Sequence, residues 1–266
     1  FILVPLPAAT IRALYCITIS LFFHILKHNQ VSCASIKCII IKKGDTMHYN
    51  GIIFDFNGTL FFDTDIHIQA WDTIAMKVIG KHMTKETLVQ KYWGLANVDL
   101  IQRMTNSTLS KEECERLSAE KESLYRMYVR NNPNATLAPG VIEFFHYLKQ
   151  HNIPFTIASA SIKENIDFYV SQFHLDQWID PDTIVYDDGT YKNKYEMYLE
   201  AMRRLRIDNP VLIFEDSING VLAAKKANAK VIAIASDSLE AHELPFLSAT
   251  IKDFQGIIEL LETLPE

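Results

Sequence analysis

Along residues 47–266, short runs of apolar residues alternate with longer stretches in which apolar positions recur every three to four residues. The stretch 50–56, "NGIIFDF", is a continuous apolar run that ends at a carboxylate and reads as a strand buried on both faces. From about Thr64 to Arg130 the period is close to 3.6 and helix formers dominate, most clearly in "SKEECERLSAEKESLYRMYVR". Within it, Ser110 with Glu113 three residues later reads as a capping box. "NNPNATLAPG" is a loop by its Asn, Pro and Gly content. Beyond it the pattern predicts a helix "VIEFFHYLKQ", a strand "IPFTIAS", and a helix "SIKENIDFYVSQF" opened by Ser161 with Glu164 after it. A strand "DTIVYD", a helix "KYEMYLEAMRRL", a strand "VLIFED", a helix "INGVLAAKKANA" and a strand "KVIAIA" follow. Strands alternating with helices imply an α/β fold with a doubly wound parallel sheet. The expected core is 47–63 and 135–266, interrupted by a helical insertion at 64–134. An insertion after the first strand lies above the carboxyl ends of the strands, where such sheets bind ligands, and is placed to act as a lid.

Composition narrows this further. Of 266 residues, 48% are hydrophobic, enough for a sizeable core. The net charge of −6 argues against a nucleic-acid binder, which would show a basic face. Cys16, Cys33, Cys38 and Cys114 show neither metal spacing nor a dense disulfide pattern, which points to a reducing, intracellular, cytoplasmic setting. Residues 1–46 differ from the rest: they hold three of the four cysteines, five Lys or Arg, and a single acid, Asp45. Their longest apolar run, Ala13 to Leu26, is interrupted by Thr18, Ser20 and His24 and falls short of the roughly 20 residues a spanning helix needs. No small-residue cleavage pattern follows it. The chain opens on Phe1, and Met47 stands just before the first strand; the expectation is an extension outside the fold and not native protein.

The strands deliver their chemistry to one edge. The first brings Asp55, Asn57 and Thr59; the second Ser159 and Ala160; the fourth Glu215 and Asp216; and Lys192 and Lys194 precede the helix "KYEMYLEAMRRL". Acids, a hydroxyl and a lysine on one edge suit an anionic substrate and a hard cation such as Mg²⁺, which joins one or two carboxylates to a phosphate. The amides after Ser159, opening a helix, would suit a phosphate. Taken singly, most of these have plainer readings. Ser159 can serve a helix start, Lys192 can be a surface lysine, and the Glu215-Asp216 pair can answer a helix dipole. Asp55 is harder to dismiss, because a carboxylate ending a buried strand is costly without a partner.

"DFNGT", "IASAS", the lysine of "YKNKYEMYL" and "FEDSINGVLAAKKANA" together resemble, in order and spacing, the four motifs of the haloacid dehalogenase superfamily, with most similarity to its β-phosphoglucomutase-like phosphatase branch. The resemblance implies a Rossmann-like core with a helical cap and a Mg²⁺-dependent phosphatase acting through an aspartyl phosphate on Asp55. It implies Mg²⁺ held by Asp55, Asp216 with Glu215, and the backbone carbonyl of Asn57. Ser159, Ala160 and Thr59 would hold the phosphate, and Lys192 would be the catalytic lysine in preference to Lys194, although Asn193 and Tyr195 replace two prolines of the family pattern. Asn57 departs from the family, whose second Asp exchanges a proton with the leaving oxygen and with water. An amide cannot, and general acid–base help is worth about 10²–10⁴-fold, so slow turnover is expected. His67, in "DTDIHIQAW", matches a cap histidine that could bind substrate or lend a proton. In "YWGLAN", Asn97 stands where β-phosphoglucomutases carry a phosphate-binding arginine, which weakens a mutase reading. Tyr125 and Tyr128 read as packing residues, and Lys111–Arg130 as a solvated lid surface. The expected partner is a small phosphorylated metabolite, by family default a sugar phosphate, with no nucleic acid or membrane, and the protein is expected to be a monomer. A sugar-phosphate mutase and a non-catalytic phosphometabolite binder remain the alternatives.

Overall fold

The computed structural model describes residues 48–264 except Trp93 and Ala241, so the expectation for residues 1–46 lies outside the described residues. Six strands form one sheet: β1 (Gly51–Phe54), β2 (Phe155–Ile162), β3 (Val185–Asp187), β4 (Val211–Glu215), β5 (Lys230–Ile234) and β6 (Ala249–Ile251). Their order is β3-β2-β1-β4-β5-β6, and every pairing is parallel. The order reverses between β1 and β4, so the crevice at their carboxyl ends is the switch point where such sheets bind ligands.

Alternation explains why these runs are apolar throughout. Ile52 and Phe54 of β1 enter one core layer with Leu212 and Phe214 of β4, while Ile53, Val211 and Ile213 enter the layer on the other face. The first layer is closed by helices at Val141–Gln150 and Lys163–Phe173 and a last helix at Ile257–Thr263; the second by helices at Lys194–Leu205 and Ile218–Lys226. Phe54 stacks on Phe214 at 5.1 Å and meets Phe144 and Phe145 edge-on. Such ring pairs add about 0.5–1.5 kcal/mol each beyond the area they bury.

Four helices intervene between β1 and the helix at 141: α1 (Thr64–Ile79), α2 (Lys85–Lys91), α3 (Asn97–Met104) and α4 (Lys111–Asn131). They bury their own apolar cluster, including Trp71, Ile74, Leu100, Ile101, Cys114 and Leu117. Helix α4 opens on the expected capping box: Ser110 accepts from the Glu113 amide at 3.2 Å, and Glu113 accepts from the Ser110 amide at 2.9 Å. The remaining helices are α5 (Val141–Gln150), α6 (Lys163–Phe173), α7 (Lys194–Leu205), α8 (Ile218–Lys226) and α9 (Ile257–Thr263). Helix α6 does not open at Ser161. Strand β2 continues to Ile162, where it pairs with Asp187 of β3, and Ile162 takes the extended cap position. The Ser161 hydroxyl is used elsewhere, and the Ser161 amide donates to Ser159 Oγ at 3.2 Å. The helix N-terminus therefore lies at Lys163, beyond the end of the strand, and not directly after Ser159. Among the described residues no helix is long and apolar enough to cross a membrane.

Candidate active site

The site begins where β1 stops. Phe56 accepts from the amides of Leu60 and Phe61 at 2.9 and 3.0 Å, folding the chain into a tight loop just past Asp55. Gly58 has φ of 74°, and a Cβ there would lie 2.2 Å from Asp216 Oδ2. Only glycine lets the loop take this left-handed turn while the carboxylate of the next strand presses against it. A second close approach fixes the other acid. A Cβ on Gly220, in the first turn of α8, would sit 1.9 Å from the carboxyl of Glu215, so the helix can pack against that group only without a side chain.

Asp55, Glu215 and Asp216 each place an oxygen within 4.8 Å of the others. Among the described residues, one cation enters this cluster. Lys194 Nζ donates to Asp55 Oδ1, to Glu215 Oε1 at 2.9 Å and to the Ala158 carbonyl at 3.1 Å. Lys192, preferred on sequence, is instead exposed, and its backbone amide bonds Glu196 at 2.8 Å. The cause is the helix start. Asn193 caps α7 through the Glu196 amide, so Lys194 is the first helical residue. Side chains tilt toward a helix's N-terminus, which carries Lys194 back over the strand ends.

The two neighbouring acids have different duties. Glu215 is fully buried; its Oε1 accepts from Lys194 and Tyr198, and its Oε2 from the amide and hydroxyl of Ser217. Burial opposes its charge, but Lys194 and the Ser217 donors outweigh it and hold its carboxyl below the ordinary range. Asp55 has Lys194 but not the paired donors of Ser217, and Asp216 has neither. Burial lifts Asp55 to about 7 against the pull of Lys194, and burial with the charges of Glu215 and Asp55 lifts Asp216 well above the ordinary range. Three carboxylates facing one lysine form a donor set short of positive charge. An all-oxygen set of this kind fits a hard divalent cation.

Beside this cluster Asn57 is enclosed in a second network. Its Nδ2 donates to Asp63 at 2.5 Å, to Tyr169 at 2.9 Å and to Tyr125 at 3.3 Å, while its Oδ1 accepts from Ser161 at 2.7 Å and Ser159 at 3.4 Å. Asp63 is 1% exposed and also accepts from the Tyr125 hydroxyl. Burial opposes its charge, yet His67, Tyr125 and Asn57 hold its carboxyl below the ordinary range.

The profile of the haloacid dehalogenase-like hydrolase family matches residues 52–234. The chain belongs to this family. As a haloacid dehalogenase-like hydrolase, it is 32% identical to the crystallised HAD hydrolase, family IA, variant 3, of Entamoeba histolytica, with a TM-score of 0.73 over 80% of this chain and 99% of that one. A β-phosphoglucomutase of Clostridium difficile shares the fold at 22% identity and a TM-score of 0.63, covering 80% of this chain and 96% of that one. Two curated relatives are a phosphorylated carbohydrates phosphatase of Thermotoga maritima, 26% identical over 68% of this chain and 82% of that protein, and a bifunctional riboflavin kinase/FMN phosphatase of Arabidopsis thaliana, 37% identical over 108 residues. That second match takes in 39% of this chain and spans 28% of the bifunctional protein.

Set in this hydrolase fold, the other expected residues fall as follows. Ser159 is buried beside Asn57, whereas Ala160 is exposed. Thr59 is fully buried, and its hydroxyl has no hydrogen-bond partner among the described residues. His67 does not turn a free nitrogen toward Asp55. Lys121 Nζ lies 2.8 Å from Nδ1; an ammonium only donates, so Nδ1 accepts and Nε2 faces Asp63 at 3.3 Å with the proton. Asn97 donates to Glu122 at 2.7 Å.

Tyr125, expected only to pack, donates to Asp63 and stacks on His67 at 4.1 Å. Lys121 and Glu122, expected on a solvated surface, are buried and paired at 2.9 Å. Glu122 also accepts from Asn165 of α6 at 2.7 Å, and Arg126 donates to the same Asn165 at 2.6 Å. These bonds join the insertion to the sheet domain, as does the exposed pair Lys85–Asp237 at 2.6 Å. The sequence did carry a signal for Asp63. It stands at the N-cap of α1, a position where Asp normally caps, but its side chain makes no cap bond and serves Asn57 instead.

Proposed function

We propose that this protein is a phosphatase that hydrolyses a small phosphorylated metabolite through an aspartyl phosphate on Asp55. The observation that carries the reading is the cluster at the switch point: a buried nucleophile-grade carboxylate, a lysine bonded to it, and Asp216 pressed against the Gly58 turn. In this reading Lys194 orients Asp55 and offsets the charge that the carboxylate and the phosphate bring together. Glu215, with both oxygens already engaged, holds Lys194 in place. Asp55, Asp216 and the backbone carbonyl of Asn57 would hold Mg²⁺, which supplies charge neutralisation at the transferring phosphate. Ser159 and the unspent hydroxyl of Thr59 are the donors for phosphate oxygens. The helical insertion serves as the cap over this edge.

The family membership and the phosphatases among the relatives support the reaction class. The test is phosphate release from a panel of phosphorylated metabolites, with and without Mg²⁺, by the wild type and Asp55→Asn. Release that needs both Mg²⁺ and Asp55 is the expected result. Release that survives Asp55→Asn, or none at all, refutes the reading.

A further inference from the structure

The five hydrogen bonds of Asn57 bear on which phosphoryl compounds this site can use. An alkyl phosphate expels an alkoxide, a strong base that needs a proton as it departs. Asn57 has no proton to exchange, and its amide is held on both sides by Asp63, Tyr125, Tyr169, Ser159 and Ser161. The neighbouring groups are engaged as well. Asp63 is buried and receives bonds from Asn57 and Tyr125; His67 has Asp63 on one nitrogen and Lys121 on the other; the Tyr169 hydroxyl donates to Tyr125 at 3.1 Å. Lys194 is bonded to Asp55 and Glu215. Asp216 also stands beside Asp55, but in the phosphatase reading it is committed to the cation; among the other described residues around Asp55, none is a free acid facing it.

We propose that the site takes phosphoryl groups from compounds whose leaving group departs as a stable anion: acyl, enol and aryl phosphates. Alkyl esters, sugar phosphates among them, are slow substrates. This deepens the phosphatase reading and rests on it. In the first step an Asp55 oxygen bonds phosphorus as the bond from phosphorus to the leaving oxygen breaks. The electron pair leaves with a carboxylate, enolate or phenolate, and no proton moves. In the second, the oxygen of water bonds phosphorus, the bond to Asp55 breaks, the carboxylate returns, and the proton of water passes to solvent. With no base in place to assist that step, the phosphoenzyme accumulates.

The test is kcat/KM of the wild type for acetyl phosphate, phenyl phosphates of graded leaving-group acidity, glycerol 3-phosphate and glucose 6-phosphate, with Asp55→Asn as the blank. The expected result is a steep fall as the leaving group becomes more basic, with alkyl esters about 10²–10⁴-fold below acetyl phosphate. Equal rates across the series overturn the proposal and leave the phosphatase reading standing. No Asp55-dependent turnover of any compound overturns the phosphatase reading and this proposal with it. The exchange Asn57→Asp with Asp63→Asn, which swaps amide and carboxylate across one hydrogen bond, is expected to raise alkyl-ester rates relative to acetyl phosphate about 10²-fold. An unchanged ratio in that folded variant overturns the proposal.

Discussion

Removing Lys194 tests the electrostatics of the site directly. Its side chain is 14% exposed, and its two carboxylate partners, Asp55 and Glu215, are 8% and 1% exposed. In Lys194→Ala the cluster Asp55, Glu215, Asp216 keeps its negative charge and loses the one ammonium bonded to it. Breaking one side of a buried ion pair costs about 3–5 kcal/mol. In a domain of this size each kcal/mol moves Tm by roughly 2–4 °C, so a drop on the order of 6–20 °C is expected without added metal. Mg²⁺ is expected to recover part of it, because a divalent cation replaces the missing charge. Turnover is expected to fall by about 10²–10³, the loss typical of removing one preorganised donor at a developing charge. Lys192→Ala is the matched control. Its side chain is exposed, and the change is expected to stay within about 0.5 kcal/mol with turnover intact. Calorimetry with and without Mg²⁺, beside phosphate-release kinetics, measures both. A Lys192→Ala enzyme that loses turnover while Lys194→Ala keeps it would refute the placement of the catalytic lysine.

Gly58→Ala must take a left-handed conformation, worth about 1–2 kcal/mol, and it drives a methyl against Asp216; metal-dependent stabilisation in thermal melts is expected to disappear. Ser110→Ala removes the capping box of α4 and is expected to lower stability by about 1 kcal/mol in urea unfolding with no change in m-value. Glu122 gives a pH signature. Burial opposes its charge, but Lys121, His67 and the bond from Asn165 depress its carboxyl from 4.5 to about 2. A depression of that size corresponds to roughly 3 kcal/mol, present above the unfolded value near 4.5 and lost as pH falls through about 2. The stability gap between wild type and Glu122→Gln is therefore expected to be widest at pH 6–7 and to narrow below about pH 4.5. A gap that does not change with pH in denaturant titrations would remove this account.

What the sequence disclosed follows what each signal depends on. The four longer strand runs, β1, β2, β4 and β5, were legible because residues on both faces are buried, which leaves an unbroken apolar string; β3, only three residues with Val185 alone fully buried, was read from the short stretch "DTIVYD". β6 and α9 went unread; β6 is only three residues, none of them fully buried. Asp55, Glu215 and Asp216 stood out because carboxylates ending buried runs need a partner. That Lys194 and not Lys192 sits beside Asp55 went unread because a two-residue shift in a helix start is invisible until the cap is seen, and Asn193 sets it. The Asn57 network was hidden for a different reason. Its members, Asp63, Tyr125, Ser161 and Tyr169, come from separate elements, and each has an ordinary local role in its own segment. Only the packing of α4 and α6 against the loop after β1 brings their polar atoms to one point.

Helix α4 supplies Tyr125 to Asp63 and Glu122 to Asn165 from adjacent turns. Raising that helix to admit a bulky substrate would tear away the hydroxyl that, through Asp63, steadies the loop after Asp55 and the clasp on α6 in a single movement. Access and assembly are thus opposed here: the door and one of the walls are the same piece of protein.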